Sequence, residues 1–318
     1  MNLPFEISFS AVFKEIAAYI VSVFLSLPFL GGAQTQSFAP LDAAGLKAQF
    51  SMISDAHIEI NPAAQGVARF EALREGLLDM SRSAAPNDAV IMAGDNTENG
   101  QVLEYMALYN YLRRFGGMDL LIAIGNHETF GLDHNQVYRR ALSNFTCPYN
   151  LYSRAKTDKA YYYRVIKGYY FIVLGTEDII DSNTAYLSPE QLAWLDGVLA
   201  QATAGGKPAF VVNHQPFLGS HGATRPEEGM GEQNDAVYVI VGKYKNVFYF
   251  SGHIHLDMPS YQRTAEGVNL VALPAFGKSG VPGCGVQVEV YPGTVELRGR
   301  NFAQGQWLED FAAGIALE

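Results

Sequence analysis

The chain has 318 residues, 48% of them hydrophobic and 17% charged, the balance of a folded globular protein rather than a disordered one. Lys and Arg number 22 against 32 Asp and Glu; the net charge of −10 disfavours a nucleic-acid partner, because that binding is driven by cations neutralising phosphates. The length suits one large domain with an N-terminal appendage, and no charged or Gly/Ser-rich linker divides it.

Residues Ile16 to Leu30 form an uncharged apolar run, followed by small Gly31-Gly32-Ala33 and polar Gln34-Thr35-Gln36. The pattern is that of a secretory signal cleaved after Ala33, or of a membrane anchor, although Glu6 and Glu15 offset Lys14 at the front. The alternative is an amphipathic helix docked on the body of a cytoplasmic protein. Segment 1–33 is thus read as signal-like, 34–46 as a connector and 47–318 as the catalytic domain. Possible membrane association rests on residues 16–30.

From there, short apolar runs alternate with longer periodic ones. Phe50 to Ile53 predicts a strand ending at Ser54-Asp55, and Val67 to Met80 a helix with Phe70, Leu73, Leu77 and Leu78 at helical spacing. Ala89 to Ala93 reads as a strand ending at Gly94-Asp95, Val102 to Phe115 as a helix, and Leu120 to Ile124 as a strand ending at Gly125-Asn126. Tyr161 to Leu174 has the pattern of a hairpin about Lys167-Gly168. Ser188-Pro189-Glu190-Gln191 opens a helix, with Ser188 capping, Pro189 at the first position and Gln191 able to complete a capping box. Ala209 to Val212 is a strand ending at Asn213-His214, and Val247 to Phe250 one ending at Ser251-Gly252. Val286, Val288 and Val290 alternate before a Pro292-Gly293 turn, predicting a C-terminal β-hairpin. Cys147 and Cys284, far apart and in no metal-type spacing, are expected as free buried thiols.

Strand-helix alternation predicts an α/β fold. Ligands of α/β sheets gather at the carboxyl ends of strands, which places Asp55, Asp95, Asn126, His214 and His253 along one edge of a sheet. Five of the seven histidines fall in Asp55-Ala56-His57, Gly125-Asn126-His127-Glu128, Asn213-His214 and Gly252-His253-Ile254-His255. Residues two apart in extended chain face one side, so Asp55/His57 and His253/His255 can each offer two ligands to one pocket. Three oxygen donors and four imidazoles are too many for one metal and suit two sharing a bridging carboxylate. The mixed N/O set fits Mn, Fe, Zn or Co better than Ca or Mg.

In this order the segments resemble the calcineurin-like metallophosphoesterases, from about Phe50 to about His255. The resemblance implies a four-layer α/β/β/α sandwich and a dinuclear centre. By it, Asp55, His57, Asp95 and His255 hold the first metal. Asp95 bridges, and Asn126, His214 and His253 complete the second. His127 is implied as the histidine that contacts phosphate and protonates the leaving oxygen, with a metal-bridging hydroxide as nucleophile. Purple acid phosphatases carry a tyrosine where this chain has Glu98 and a glycine in place of His57, so a tyrosinate-coloured centre is not expected. Asn96-Thr97-Glu98-Asn99 departs from the continuation found in protein Ser/Thr phosphatases, while the His57 form with Gly-His-x-His is more similar to bacterial phosphodiesterases. The expected substrate is a small phosphomonoester or phosphodiester. The rival is an inactive metal-binding scaffold on the same fold. Glu128 is read either as orienting a ligand or as exposed, His134 and His221 as surface residues, and the Gly-rich stretch Leu218 to Gly231 as able to cover the pocket.

Overall fold

The computed structural model describes residues 36–60, 63–115, 117–129, 137–153, 156–178, 183–223 and 225–318. The apolar run at 16–30, with its proposed cleavage point, and His134 lie outside the described residues. Among the described residues no helix is long and apolar enough to cross a membrane.

The elements, in chain order, are β1 (Ala48–Ile53), α1 (Ala64–Ser81), β2 (Ala89–Met92), α2 (Val102–Leu112), β3 (Asp119–Ile122), α3 (Val137–Tyr152), β4 (Tyr162–Ile166) and β5 (Tyr169–Val173). There follow α4 (Pro189–Ala202), β6 (Ala209–Val212), α5 (Asn234–Gly242), β7 (Val247–Leu256), β8 (Ser260–Arg263), β9 (Asn269–Pro274), β10 (Cys284–Tyr291), β11 (Thr294–Asn301) and β12 (Gln306–Ala316). They build two six-stranded sheets, ordered β12-β11-β10-β1-β2-β3 and β4-β5-β6-β7-β9-β8. β1, β2 and β3 run parallel in the first, and β5, β6, β7 and β9 in the second.

The sheets pack face to face through aromatic side chains. Phe50 of β1 meets Phe171 of β5 and Phe210 of β6 edge-on, at centroid distances of 4.7 and 4.8 Å, the geometry that ring quadrupoles favour. Alternation along β1 then turns Gln49 and Ser51 away from the second sheet. Both are buried, and hydrogen bonds satisfy them: Gln49 donates to the Ala85 carbonyl, and Ser51 to Gln287. Phe70, Leu73 and Leu77 of α1 join the core of the first sheet. Leu195 and Leu199 of α4 pack with Val237 and Val241 of α5 on Val211 and Tyr249 of the second. The layer order is that of the α/β/β/α sandwich.

Several expectations need correcting. The strand-end residues lie on two facing sheets, not along one edge, because β4 and β5 begin a new sheet instead of extending the first. β7 does not stop at Ser251-Gly252 but continues through His253 and His255 to Leu256, with its register against β9 shifting between Ser251 and Leu256. The C-terminal hairpin is a three-stranded meander, its third member being β12. At α4, Ser188 accepts from the Gln191 backbone N–H as expected, but the Gln191 amide turns to the Gly175 carbonyl and Glu177, so no reciprocal box forms. Cys147 is exposed, whereas Cys284 is buried.

Residues read as a connector are docked from Gln36 onward. Gln36 donates its backbone N–H to the Gly305 carbonyl, and Phe38 is buried. The fully buried Arg300 guanidinium lies over the Phe38 ring and forms a forked pair with Asp79 of α1 at 2.6 and 2.7 Å, a geometry suited to a buried ion pair.

Candidate metal centre

Registers Ile53↔Met92 and Met92↔Ile122 bring the carboxyl ends of β1, β2 and β3 level, and Val212↔Phe250 does the same for β6 and β7. The two rows are stitched at this end by a bridge between Ser54 and Ala275 and by His253 N–H to the Asp55 carboxylate at 3.2 Å. Asp55, His57, Asp95 and His214 are almost wholly buried and form the floor of the site, with Asn126 beside them. His127, His253 and His255 are partly exposed and form its mouth.

One ligand atom from each of Asp55, His57, Asp95 and His255 falls within 4.8 Å of every other. Nε2 of His255 is 3.2 Å from Oδ1 of Asp55, and Nε2 of His57 is 3.7 Å from Oδ2 of Asp95. On the other side of Asp95, Nε2 of His214 approaches the same Oδ2 at 3.2 Å. Oδ1 of Asn126 is met by His214 Nε2 at 3.2 Å and by His253 Nδ1 at 3.1 Å. The seven residues singled out from the sequence thus converge as two groups that share Asp95. His127 stands beside them, its ring edge-on to His57 at 4.5 Å.

The backbone explains how residues two apart converge. Asp55, His57, Asp95, His253 and His255 all have φ between 46° and 71°. This left-handed region is costly for non-glycine residues and recurs at functional sites. Extended chain is the expectation for the Asp55/His57 and His253/His255 pairs; the structure interrupts it with left-handed φ at all four, His253 and His255 lying within β7. Backbone hydrogen bonds Asp55 N–H to Gly94, His57 N–H to Asp95 and Gly277 N–H to Asp55 hold that conformation. The glycines preceding Asp95, Asn126 and His253 have a steric reason. A Cβ on Gly125 would strike the Asp95 carboxylate, one on Gly252 would strike Ser54 and Asp55, and one on Gly94 would sit 2.6 Å from the His214 ring. Gly94→Ala also forces a side chain onto φ +97°. It is expected to destabilise the protein by about 1–3 kcal/mol, the usual cost of overpacking, and to weaken metal uptake by displacing His214. Denaturant unfolding and metal titration would check this; unchanged values in both would refute the steric account.

The donors are arranged for cations. His214 donates Nδ1–H to the Ala93 carbonyl at 2.8 Å, and His253 donates Nε2–H to the Glu227 carbonyl at 3.0 Å. Each ring therefore turns its other nitrogen inward with a lone pair. Nε2 of His57 and Nε2 of His255 face each other at 3.1 Å, and a cation can accept both lone pairs at once. Burial alone would raise the carboxyls of Asp55 and Asp95, yet His214 draws both below the ordinary carboxylate range. Burial would depress His214, but Asp95 and Asp55 lift it to about 9. In the metal-free protein His214 thus holds a proton between the two carboxylates, which a bound cation would displace to take the Nε2 lone pair. Burial lowers His127, against the opposing pull of Asp95.

The surrounding shell was largely missed by reading the sequence. Oε2 of Glu98 lies 3.1 Å from Nδ1 of His57, in a short but bent contact, and accepts from Arg69 at 2.8 Å. The backbone carbonyl of Glu98 accepts from Nδ1 of His127 at 2.8 Å. Glu98 therefore fixes a floor imidazole with its side chain and a mouth imidazole with its main chain. Its position three residues after Asp95 is the sequence signal that could have found it. Glu128 is buried, and the hydrogen bonds of its side chain go to Thr97 and Gly125. Its carboxylate accepts from Thr97 N–H at 2.8 Å and Gly125 N–H at 2.7 Å, bracing the loops that carry Asp95 and Asn126. Burial, with Asp95 nearby, pushes it up to about 8. His221 is not a surface residue: it is buried, with Nδ1 2.9 Å from the Ser260 hydroxyl. The Gly-rich loop does reach the site, through Glu227 on His253.

Comparison with known proteins agrees with this geometry. The family model for calcineurin-like phosphoesterases matches residues 49–257. No curated protein matches the chain. Among solved structures, a dimetal phosphatase from Danio rerio is similar at TM-score 0.63 and 17% identity, over 86% of this chain and 100% of that one. A purple acid phosphatase from yellow lupin (Lupinus luteus) seeds is similar at TM-score 0.61 and 13% identity, over 85% of this chain and 53% of that one. At such identities these two likenesses speak for the fold.

Proposed function

The chain belongs to the calcineurin-like phosphoesterase family, and from that premise we propose that it hydrolyses small phosphomonoesters or phosphodiesters at a dinuclear metal centre. Asp55, His57, Asp95 and His255 would hold one ion; Asp95, Asn126, His214 and His253 would hold the other. The observation that carries this reading is the sharing of Asp95, whose Oδ2 lies 3.7 Å from His57 Nε2 and 3.2 Å from His214 Nε2. When bound, two such ions supply a water acidified to a nucleophile near neutral pH and offset charge on the phosphoryl oxygens.

The residues do the remainder. Asp95 presents a carboxylate to both groups, while its Oδ1 accepts the His127 backbone N–H at 2.8 Å and so seats that residue. His127 gives Nδ1–H to the Glu98 carbonyl, so in the imidazolium form, which burial opposes and Asp95 favours, its Nε2–H would pass a proton to the leaving oxygen as the P–O bond breaks. The floor excludes water from Asp55 and Asp95, which strengthens their electrostatic hold.

Metal reconstitution tests the reading. Elemental analysis should saturate at two transition-metal ions per chain, with phosphoesterase activity lost on chelation and regained on readdition. Saturation at one ion would contradict the bridging role of Asp95. We also infer that the apolar run 16–30 directs export or anchoring. Mass spectrometry of protein made in an exporting host should then find a mature N-terminus at Gln34, or the intact chain in the membrane fraction; intact soluble protein would count against both.

A further inference from the structure

We propose that Lys278 is a specificity residue of this site, selecting substrates whose leaving group carries its own anionic group, a carboxylate or a second phosphate; the proposal rests on the phosphoesterase reading above. Lys278 sits on the loop between β9 and β10, and the backbone fixes where that loop runs. Ala275 N–H donates to the Leu256 carbonyl, Phe276 N–H to Ser54 and Gly277 N–H to Asp55. Lys278 therefore leaves the chain one residue after a hydrogen bond to a metal-facing position.

Its ammonium lies 3.3 Å from Oε1 of Glu98, and that same oxygen is 3.7 Å from Nδ1 of His127. The positive charge is thus on the His127 side of the centre, a carboxylate's width from the imidazole assigned to the leaving oxygen. Lys278 approaches from the Nδ1 side of that ring, so it would meet an anionic substituent that extends from a leaving oxygen at Nε2 around the edge of His127.

The lysine is paired with Glu98 yet partly open to solvent. Its side chain is 33% exposed, and ion pairs of partly exposed lysines contribute little to stability. Glu98 keeps other partners without it, since Oε2 engages Arg69 at 2.8 Å and His57 at 3.1 Å. Arg69, the other cation on this carboxylate, is buried and bonded to the His57 carbonyl as well. Arg225 is tied to Glu227 and Glu228. In a chain of net charge −10, a flexible cation at the mouth is what gives an anionic substituent one favourable orientation.

The test uses phosphate esters of 4-hydroxybenzoate and of its neutral amide, each offered as monoester and as methyl diester to the metal-loaded full chain. These phenols are of similar basicity, so charge is the main difference. For Lys278→Gln, kcat/KM on the carboxylate ester should fall about tenfold, mostly through KM, as expected for losing one charge-assisted contact. The amide ester should change less than about twofold. Lys278→Arg should keep the preference, and metal content should match wild type in both variants. Equal losses on the two esters, or none on either, would overturn the proposal while leaving the phosphoesterase reading intact. Failure of the wild type on all four esters would overturn that reading and this one with it.

Discussion

Asp95→Ala is expected to reduce kcat at saturating metal by at least about 10³-fold, beyond the loss for His57→Ala. One carboxylate serves three purposes here. Oδ2 faces His57 on one side and His214 on the other, and Oδ1 holds the His127 backbone N–H. Losing a single preorganised electrostatic contact already costs about 10²–10³-fold, and this substitution removes the contact common to both groups while unseating the acid. It also leaves His214, lifted to about 9 mainly by Asp95 against burial, without its nearest counter-charge. His57 belongs to one group only, and a water can take its place there. Asp95→Asn separates shape from charge: the amide oxygen can still accept from His127, so a loss close to that of the alanine variant would assign the effect to charge. The measurement is a steady-state rate on each variant with metal content determined in parallel. A His57→Ala variant equally dead with both ions retained would remove the asymmetry on which the bridging role rests.

His127→Ala is expected to cost about 10²–10⁴-fold, the range for general acid catalysis, but only where the leaving oxygen needs a proton. A simple alkyl phosphoester expels a strongly basic alkoxide and should show the full loss. A nitrophenyl ester expels a weakly basic phenolate and should keep much of its rate. Metal content should change little, because the His127 Nδ1 is spent on the Glu98 carbonyl and its ring meets His57 only edge-on. Comparing kcat/KM on the two ester types, wild type against variant, decides the matter. Equal losses on both with metals in place would make His127 a phosphate-holding residue, and loss of an ion would move it among the metal-facing residues.

The sequence by itself determined the local pieces. Apolar runs of strand length, each closed by Gly-Asp, Gly-Asn, Asn-His or Gly-His, are legible because burial and punctuation are properties of neighbouring residues. The strand and helix bodies predicted from Phe50 to Phe250 lie within a few residues of where their periodicity puts them, whereas α3 and α5 fall where no periodic run is read. All eight residues singled out are close together in space for the same reason: a parallel strand delivers whatever follows it to one end of its sheet. β8, β9 and β12 escaped notice because their side chains follow no strict alternation; β12, at an edge, is buried at Phe311 and Ile315 but otherwise mostly open.

Tertiary structure alone decided the rest. Whether β6 and β7 extend the first sheet or face it from a second depends on which strand β5 and β6 pair with and on contacts such as Phe50 with Phe171 and Phe210, more than a hundred residues apart, which no local pattern encodes. The left-handed φ values at Asp55, His57, Asp95, His253 and His255 are likewise imposed from outside, by hydrogen bonds such as Asp55 N–H to Gly94 and Gly277 N–H to Asp55. Left to itself, a non-glycine residue avoids that region. The partners of Glu98, with His57 and Arg69 on one oxygen and Lys278 on the other, come from three separate stretches of chain. A carboxylate's partners depend on which charges the fold brings within a few ångströms, and that distance exists only once the two sheets have packed.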